Sequence, residues 1–281
     1  MGPARKSSEA KEMGSTRGLY AKVAIYTAKA ILQSGRGVAQ PGSAPALGAG
    51  GRWFKSSRPD HKVNKEDNVG EKRSRPRIWV TWLAAYLAGD EQCEWKLWFR
   101  ANYRYQKAPR DRGYSGWEIE HQDLVKQYAD ELVKEGYTVK IEHGNEFEIR
   151  GKTADLAGKP DIIAEKPKSV VVVDCKTGEE KSTHKVQVLI YLWALRQIER
   201  FQGREISGQL IYKGRPKISI DLAHVTNDFE QKLVRAIKIA TATKPPAKKP
   251  SSRECGLCDI PQEECPEKGF IEKLSSETEV F

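Results

Sequence analysis

Residues 160–176 read PDIIAEKPKSVVVVDCK, and this stretch decides the fold. Two apolar runs, 161–164 and 170–174, flank the turn-prone Lys166-Pro167-Lys168. Apolar runs of this length on either side of a short turn signal are typical of a β-hairpin. The sequence therefore predicts two neighbouring antiparallel strands here.

The polar residues of this hairpin are predicted to meet at one edge of a sheet. Because side chains alternate along a strand, Asp174 and Lys176 share one face and Cys175 takes the other. Antiparallel pairing places Asp161, which starts the first strand, beside Asp174. Two neighbouring carboxylates repel each other unless a cation neutralises them, and oxygen ligands suit Mg or Mn. Such a site supports phosphodiester hydrolysis. The alternative is that these residues merely end a buried strand at the surface.

Hydrophobic periodicity outside the hairpin predicts an α/β body. Helices are expected over 78–105, broken at Gly89-Asp90, and over 117–135, 184–201 and 227–242. In the helix over 117–135, Leu124, Tyr128 and Leu132 share one face, and Gly136 follows as a natural C-cap. Strands are expected over 137–142, 147–150, 208–212 and 217–222. This order of elements indicates a central mixed sheet flanked by helices. Residues 244–253, with several prolines and lysines, form a predicted linker.

The basic charge of the chain is concentrated in its first quarter. The 281 residues carry a net charge of +10, with 48 Lys and Arg against 38 Asp and Glu. Residues 1–75 hold 15 of the basic and 6 of the acidic residues, hence +9, which leaves +1 for residues 76–281. We interpret residues 1–75 as a mostly disordered extension with one amphipathic helix at 19–33, and residues 76–281 as the folded domain. The extension is either a phosphate-attracting arm, a solvated tail or a transit peptide, and Glu9 and Glu12 count against the last.

Composition excludes several classes of protein. Hydrophobic residues make up 38% of the chain, which is enough to bury a core and excludes a fully disordered protein. The apolar stretches are far shorter than the roughly 20 residues that cross a bilayer, which excludes a membrane-spanning protein. Five cysteines are too few for a secreted disulfide scaffold of this length. We expect a cytoplasmic protein whose reduced thiols are available as ligands.

The Pro-Asp of residues 160–161 followed by the Asp-Cys-Lys of residues 174–176 resembles the PD-(D/E)XK nuclease superfamily. The surrounding sequence is similar to the RecB-like branch, which has a glutamine and a tyrosine on the helix after the lysine strand. Gln187 and Tyr191 match these two residues. The branch also has a histidine on a helix before the first aspartate, which is where His121 stands.

This resemblance covers about residues 78–270 and implies a restriction-endonuclease-like core. The implied metal ligands for Mg or Mn are Asp161, Asp174, the carbonyl of Cys175 and the ring of His121. Lys176 would assist the nucleophile, and the other implied catalytic residues, Gln187 and Tyr191, would contact the substrate strand or support the lysine. Without the resemblance, His121 and Gln187 are ordinary polar residues of helices and Tyr191 is a core residue.

Cys255, Cys258 and Cys265 have a spacing that suits metal ligation, which requires a fourth ligand. Cys175 is a poor candidate because it faces away within its strand. Iron-sulfur members of the RecB-like branch carry one cysteine before the nuclease core and three after it, and Cys93 completes that layout. The resemblance therefore implies a 4Fe-4S cluster that closes the fold. Zinc is the alternative, because four thiolates suit it equally well.

The resemblance implies a Mg- or Mn-dependent DNA exonuclease that acts at single-stranded ends. One setting is antiviral defence, in which it trims DNA before spacer integration with a CRISPR integrase. The other is DNA repair, recombination or phage replication with other recombination proteins. About ninety residues precede Cys93, whereas compact CRISPR-associated members begin close to the first cysteine. Two alternatives are a non-catalytic nucleic-acid-binding module with a vestigial site and a restriction-type endonuclease.

Overall fold

The computed structural model describes residues 70–108 and 116–268. The helices of these parts of the chain are α1 (Val80–Leu87), α2 (Glu94–Asn102), α3 (Trp117–Lys134), α4 (Ser182–Leu195), α5 (Asn227–Ala240) and α6 (Ser252–Gly256). The strands are β1 (Glu71–Lys72), β2 (Arg77–Trp79), β3 (Tyr103–Arg104), β4 (Thr138–Ile141), β5 (Phe147–Arg150), β6 (Asp155–Gly158), β7 (Ile162–Glu165), β8 (Ser169–Lys176), β9 (Glu205–Tyr212) and β10 (Ile218–Asp221). None of the helices in these two ranges has the length and apolar content needed to cross a membrane.

Most of the predicted N-terminal extension, including the helix expected at 19–33, lies outside the described residues. The last residues assigned to it, 71–75, contact the body. Strand β1 pairs with β3, and Arg75 Nε donates to Asp155 Oδ1 at 2.8 Å. These contacts are made by residues that lie on the extension side of the predicted boundary at residue 75.

The strands form two mixed sheets and a small two-stranded sheet, so the predicted α/β class is confirmed. The larger sheet has the order β10-β9-β8-β7-β4, in which only β8 and β9 run parallel. The smaller has the order β2-β6-β5, with β2 parallel to β6. The predicted hairpin is confirmed as β7 and β8, where Ile162 pairs with Val173.

Several details differ from the sequence prediction. Strands β2 and β3 lie at the two ends of the segment expected to be helical over 78–105, because they pair with β6 and β1. Strand β6 was not predicted, because its four residues, Asp-Leu-Ala-Gly, show no clear alternation. Strands β4 and β5 follow each other in the chain but belong to different sheets. The helix predicted over 184–201 ends at Leu195. The apolar pattern continues beyond this point because Ile198, in a turn, and Phe201, in a short 3₁₀ helix, are also buried in the core.

The large sheet is covered by helices on both faces. Helices α1, α4 and α5 bury one face, with Leu192 and Leu195 of α4 fully enclosed. Helix α3 covers the other face with Tyr128 and Leu132, as its periodicity predicted. It ends before Gly136, whose φ of +86° is the left-handed conformation of a helix C-terminal glycine. The candidate site lies where these layers meet the ends of β7 and β8.

Close packing of α4 on β9 gives a testable prediction. A Cβ added to Gly208 of β9 would lie 2.4 Å from Val188 Cγ1 of α4. Because overpacking a well-filled core strains it, we expect Gly208→Ala to lower the free energy of unfolding by about 1–3 kcal/mol in chemical denaturation. Gly178→Ala is the matched control, since nothing lies within 4 Å of its added Cβ. Equal stability of the two variants would contradict this packing.

Candidate active site

The structure brings Asp161, Asp174 and Lys176 together at the ends of β7 and β8. The hairpin register places Asp161 beside Asp174, as predicted. Asp161 Oδ2 accepts a hydrogen bond from the Cys175 N–H at 2.7 Å, and Lys176 Nζ lies 2.5 Å from Asp174 Oδ2. The Cys175 side chain is buried on the opposite face, among the residues that pack under α3. Asp174, Cys175 and Lys176 therefore lie on the faces that alternation along the strand predicted, and Asp161 lies where antiparallel pairing predicted.

Helix α4 supplies a chain of hydrogen bonds that ends on Asp174. Tyr191 Oη donates to the carbonyl of Lys159 at 3.1 Å. Gln187 Nε2 donates to Tyr191 Oη at 3.1 Å and to Asp174 Oδ1 at 3.0 Å. Gln187 and Tyr191 are both buried, and these contacts go to Asp174 rather than to Lys176. They favour a role in holding the carboxylate.

His121 reaches the site from the first turns of α3. Its Nε2 lies 3.5 Å from Asp161 Oδ1. The ring of Trp117, which is 45% exposed, lies beside it with centroids 5.6 Å apart. His121 is thus close to Asp161, whereas Gln187 bonds to Asp174.

The two carboxylates carry unfavourable charge in a buried place. Burial, with the neighbouring Asp174 as the second cause, raises the pKa of Asp161 to about 7. Burial alone would lower the pKa of Lys176, but attraction by Asp174 and Asp161 outweighs it and raises that pKa. Lys176 is therefore protonated in the folded chain without metal and can donate hydrogen bonds.

Tyr212 and His184 lie near Lys176 but were not predicted from the sequence as site residues. Tyr212 pairs with Lys176 in the register of β8 and β9, and His184 Nδ1 lies 2.8 Å from Tyr212 Oη. Burial, followed by repulsion from Lys176, lowers the pKa of His184. The available signal was the spacing of His184 and Gln187, which lie three residues apart on one face of a helix.

The C-terminal cysteines lie at a second place, which we call the thiol pocket. Four cysteines line this pocket of about 380 Å³, including solvent at its mouth: Cys93, Cys255, Cys258 and Cys265. None of the five cysteines is in a disulfide. Among the residues that the structure describes, no group of three or more His, Cys, Asp or Glu side chains is arranged to hold a metal ion. The pocket brings the four predicted ligands together without showing a metal cluster.

A protein-family model of the PD-(D/E)XK nuclease superfamily matches residues 81–263. This match covers about two thirds of the chain and includes the acidic and lysine residues of the site. The chain belongs to the PD-(D/E)XK nuclease superfamily. The mixed sheet with helices on both faces is consistent with the restriction-endonuclease-like core expected of this superfamily.

Comparison with individual proteins adds little to this superfamily assignment. No curated protein matches the chain. A solved structure described as "Crystal structure of SSO0001" is 20% identical and covers 70% of this chain and 89% of that chain. Its TM-score is 0.39, so this likeness carries no argument.

Nucleases of the PD-(D/E)XK superfamily generally use Mg or Mn, and the donor set at this site fits such an ion. Asp161 and Asp174 are oxygen donors, which hard divalent cations prefer. Burial first and the neighbouring Asp174 second raise the pKa of Asp161, and a bound cation would favour its ionised form against both. The fit therefore rests on the two carboxylates, which the hairpin brings side by side.

The pKa of Asp161 predicts how metal binding and stability depend on pH. Since the folded pKa of about 7 exceeds the ordinary value of 3.8, the metal-free folded chain keeps a proton that the unfolded chain has lost between those pH values. Its free energy of unfolding therefore falls as pH rises from about 4 to 7. A cation displaces this proton, so the rise in Tm caused by Mn should grow from pH 5.5 to pH 8.

Thermal melts of the wild-type chain, Asp161→Asn and Asp123→Asn test this prediction. The Asp161→Asn variant should lose most of the Mn response and be more stable than the wild type at pH 8 without metal. Asp123 is exposed on α3, so Asp123→Asn should behave as the wild type. A wild-type Mn response that is independent of pH would contradict the assignment.

Proposed function

We propose that the chain is a Mg- or Mn-dependent deoxyribonuclease, an exonuclease that degrades single-stranded DNA from its ends. The observation that carries this proposal is the contact of Lys176 with Asp174 beside Asp161, at the paired ends of β7 and β8. Superfamily membership supports nuclease chemistry for this arrangement.

Each side chain of the proposed site has a distinct task. Asp161, Asp174 and the carbonyl of Cys175 would hold the cation, with His121 as a further ligand. A bound divalent cation supplies Lewis acidity toward water and a phosphoryl oxygen. Lys176, which is protonated, orients the attacking water and offsets charge on the phosphate. Gln187, held by Tyr191, fixes the rotamer of Asp174.

The cost of this arrangement argues against a vestigial site. Ionised Asp161, whose pKa is raised by burial and by the neighbouring Asp174, weakens the fold unless a further cation binds in addition to Lys176. A perturbed carboxylate beside a specific cationic partner is typical of functional sites. A binding module without catalysis would have no use for this charge.

We also propose that the thiol pocket holds a 4Fe-4S cluster. Its four cysteines come from two distant parts of the chain. Cys93 precedes the strands of the five-stranded sheet, and the other three follow them. Four thiolates are the usual ligands of such a cluster. Zinc is the alternative metal. Anaerobic purification distinguishes a 4Fe-4S cluster from zinc, because only the cluster gives broad visible absorbance together with iron and sulfide.

Cleavage assays on four DNA substrates test the proposed activity. The full chain, purified without oxygen, is incubated with Mn and linear or circular DNA, each single-stranded or duplex. We expect linear single strands to be degraded and circular single strands to stay intact. Cutting of circular duplex would instead identify a restriction-type endonuclease. Salt-dependent binding without turnover in either Mg or Mn would identify a non-catalytic module.

Two cellular settings fit an exonuclease of this kind. It would trim DNA fragments before their integration by a CRISPR integrase, or resect ends in repair or recombination. The length of the products separates these settings. Fragments of uniform length in the presence of an integrase support the first, and digestion that continues to short oligonucleotides supports the second.

A further inference from the structure

A buried network of ion pairs lies behind the thiol pocket. Lys96 and Arg100, one turn apart on α2, are only 3% and 5% exposed. Lysine and arginine are almost never buried to this degree unless they are paired. Both side chains form ion pairs with Glu91.

The partners of Arg100 tie α2 to the segment that contains Cys258. Arg100 donates to Asp259 Oδ1 from Nε at 3.0 Å and from Nη2 at 2.5 Å. It also donates to Glu91 Oε2 from Nη1 at 2.7 Å. Asp259 follows Cys258 directly in the chain, so this buried pair fixes the backbone next to one thiol.

Glu254 joins two of the cysteines more directly. It precedes Cys255, and its Oε1 accepts a hydrogen bond from the backbone N–H of Cys93 at 3.2 Å. Its Oε2 accepts from the N–H of Gln92 at 3.0 Å, and Lys96 Nζ lies 3.9 Å from Oε1. One carboxylate thus holds the peptide of Cys93 against the residue before Cys255.

Further contacts hold the segment that contains Cys265. Lys268 Nζ donates to the carbonyls of Cys258 and Ile260 at 3.0 and 3.3 Å. On the other side, a Cβ on Gly70 would lie 2.5 Å from Glu264 Oε1, so the residue before Cys265 packs closely on the start of the described chain. All of these contacts are between protein groups.

We infer that these protein contacts, rather than a metal, assemble the thiol pocket, and that Glu254 and Asp259 are the positioning residues that hold Cys255 and Cys258 against Cys93. This inference rests on the proposed function only for which metal or cluster the thiol pocket binds. It reverses the expectation that the cluster is what closes the fold. The metal-free chain should already hold the segments that carry Cys93, Cys255 and Cys258 together around the pocket, even though no metal-binding arrangement of three or more side chains exists among the described residues.

A bifunctional thiol reagent that bridges two nearby thiols tests this in the metal-free full chain. Cross-links that contain Cys93 are mapped by mass spectrometry. We expect the wild-type chain to form them at least tenfold faster in buffer than in guanidinium chloride. Glu254→Ala should slow the reaction at least tenfold, and Glu254→Gln, which keeps an acceptor oxygen, should slow it less. Glu263→Ala is the control, since Glu263 is exposed on the same segment.

Iron and sulfide content after anaerobic reconstitution gives the second readout. Glu254→Ala should bind less iron at equal protein concentration, while its circular dichroism matches that of the wild type. Equal cross-linking of Glu254→Ala and the wild type, or no difference between buffer and denaturant, would overturn the inference. A wild-type chain that cross-links rapidly but binds neither iron nor zinc would instead overturn the proposed metal centre and leave the inference standing.

Discussion

Replacing Lys176 with alanine is expected to reduce DNA cleavage by about 10²–10³-fold, the usual cost of removing one group that stabilises charge in the transition state. Lys176 Nζ lies 2.5 Å from Asp174 and is the cation of the proposed site. The rate of degradation of labelled single-stranded DNA at saturating Mn measures the effect. The visible absorbance of the cluster proposed for the thiol pocket should not change, because Lys176 does not line that pocket.

Two further variants separate catalysis from folding in this experiment. Lys176→Ala leaves the buried Asp174 without its cation, which lowers the free energy of unfolding. Because the Lys176 side chain is 23% exposed, the loss should be smaller than the roughly 3–5 kcal/mol of a fully buried pair. The double variant Asp174→Asn/Lys176→Met removes both charges, so it should regain stability but not activity. Lys238→Ala, an exposed lysine on α5, should retain full activity. Cleavage by Lys176→Ala at the rate of Lys238→Ala would refute the proposed site.

The largest expected loss of stability follows from replacing Arg100 with methionine. Breaking one partner of a buried ion pair costs about 3–5 kcal/mol, because the remaining charge stays buried. Arg100 has two acidic partners, Glu91 and Asp259, and its own side chain is 6% exposed. For a folded domain of this size, the loss corresponds to a fall in Tm of about 6–20 °C.

Thermal melts of three variants check this prediction. Arg100→Met should melt well below the wild type, and Arg100→Met/Asp259→Leu should recover part of the loss because it removes the stranded carboxylate. Arg235→Met on the exposed face of α5 should change Tm by no more than a degree or two. A melting temperature of Arg100→Met equal to that of Arg235→Met would show that the network contributes nothing to stability.

The hairpin that holds the site was predictable because its signals are local. A turn between two apolar runs sets the pairing, and alternation then sets the faces of Asp161, Asp174, Cys175 and Lys176. The helix over 117–135 was predictable for the same reason, since its periodicity and its terminal glycine agree. These features depend on residues that are close in sequence.

The features that escaped prediction depend on contacts between distant residues. Strand β6 exists because β2 and β5 pair with it from either side, and its own four residues carry no pattern. The bond from Gln187 to Asp174 was not foreseen because it requires the packing angle of α4 on the sheet. The partners of Arg100 come from both ends of the described body, and a basic residue in an aromatic helix gives no sign of burial.

The short connection between β6 and β7 has a mechanical consequence. Residues 159–161 link the three-stranded sheet to the five-stranded sheet, and Tyr191 holds this link at the carbonyl of Lys159. Asp161 is its last residue, whereas Asp174 belongs wholly to the larger sheet. A change in the angle between the two sheets would therefore be passed to Asp161 through residues 159–161, and its hydrogen bond to the Cys175 N–H of β8 would resist it. The distance between the two carboxylates, on which cation affinity depends, would then respond to movement of one sheet against the other.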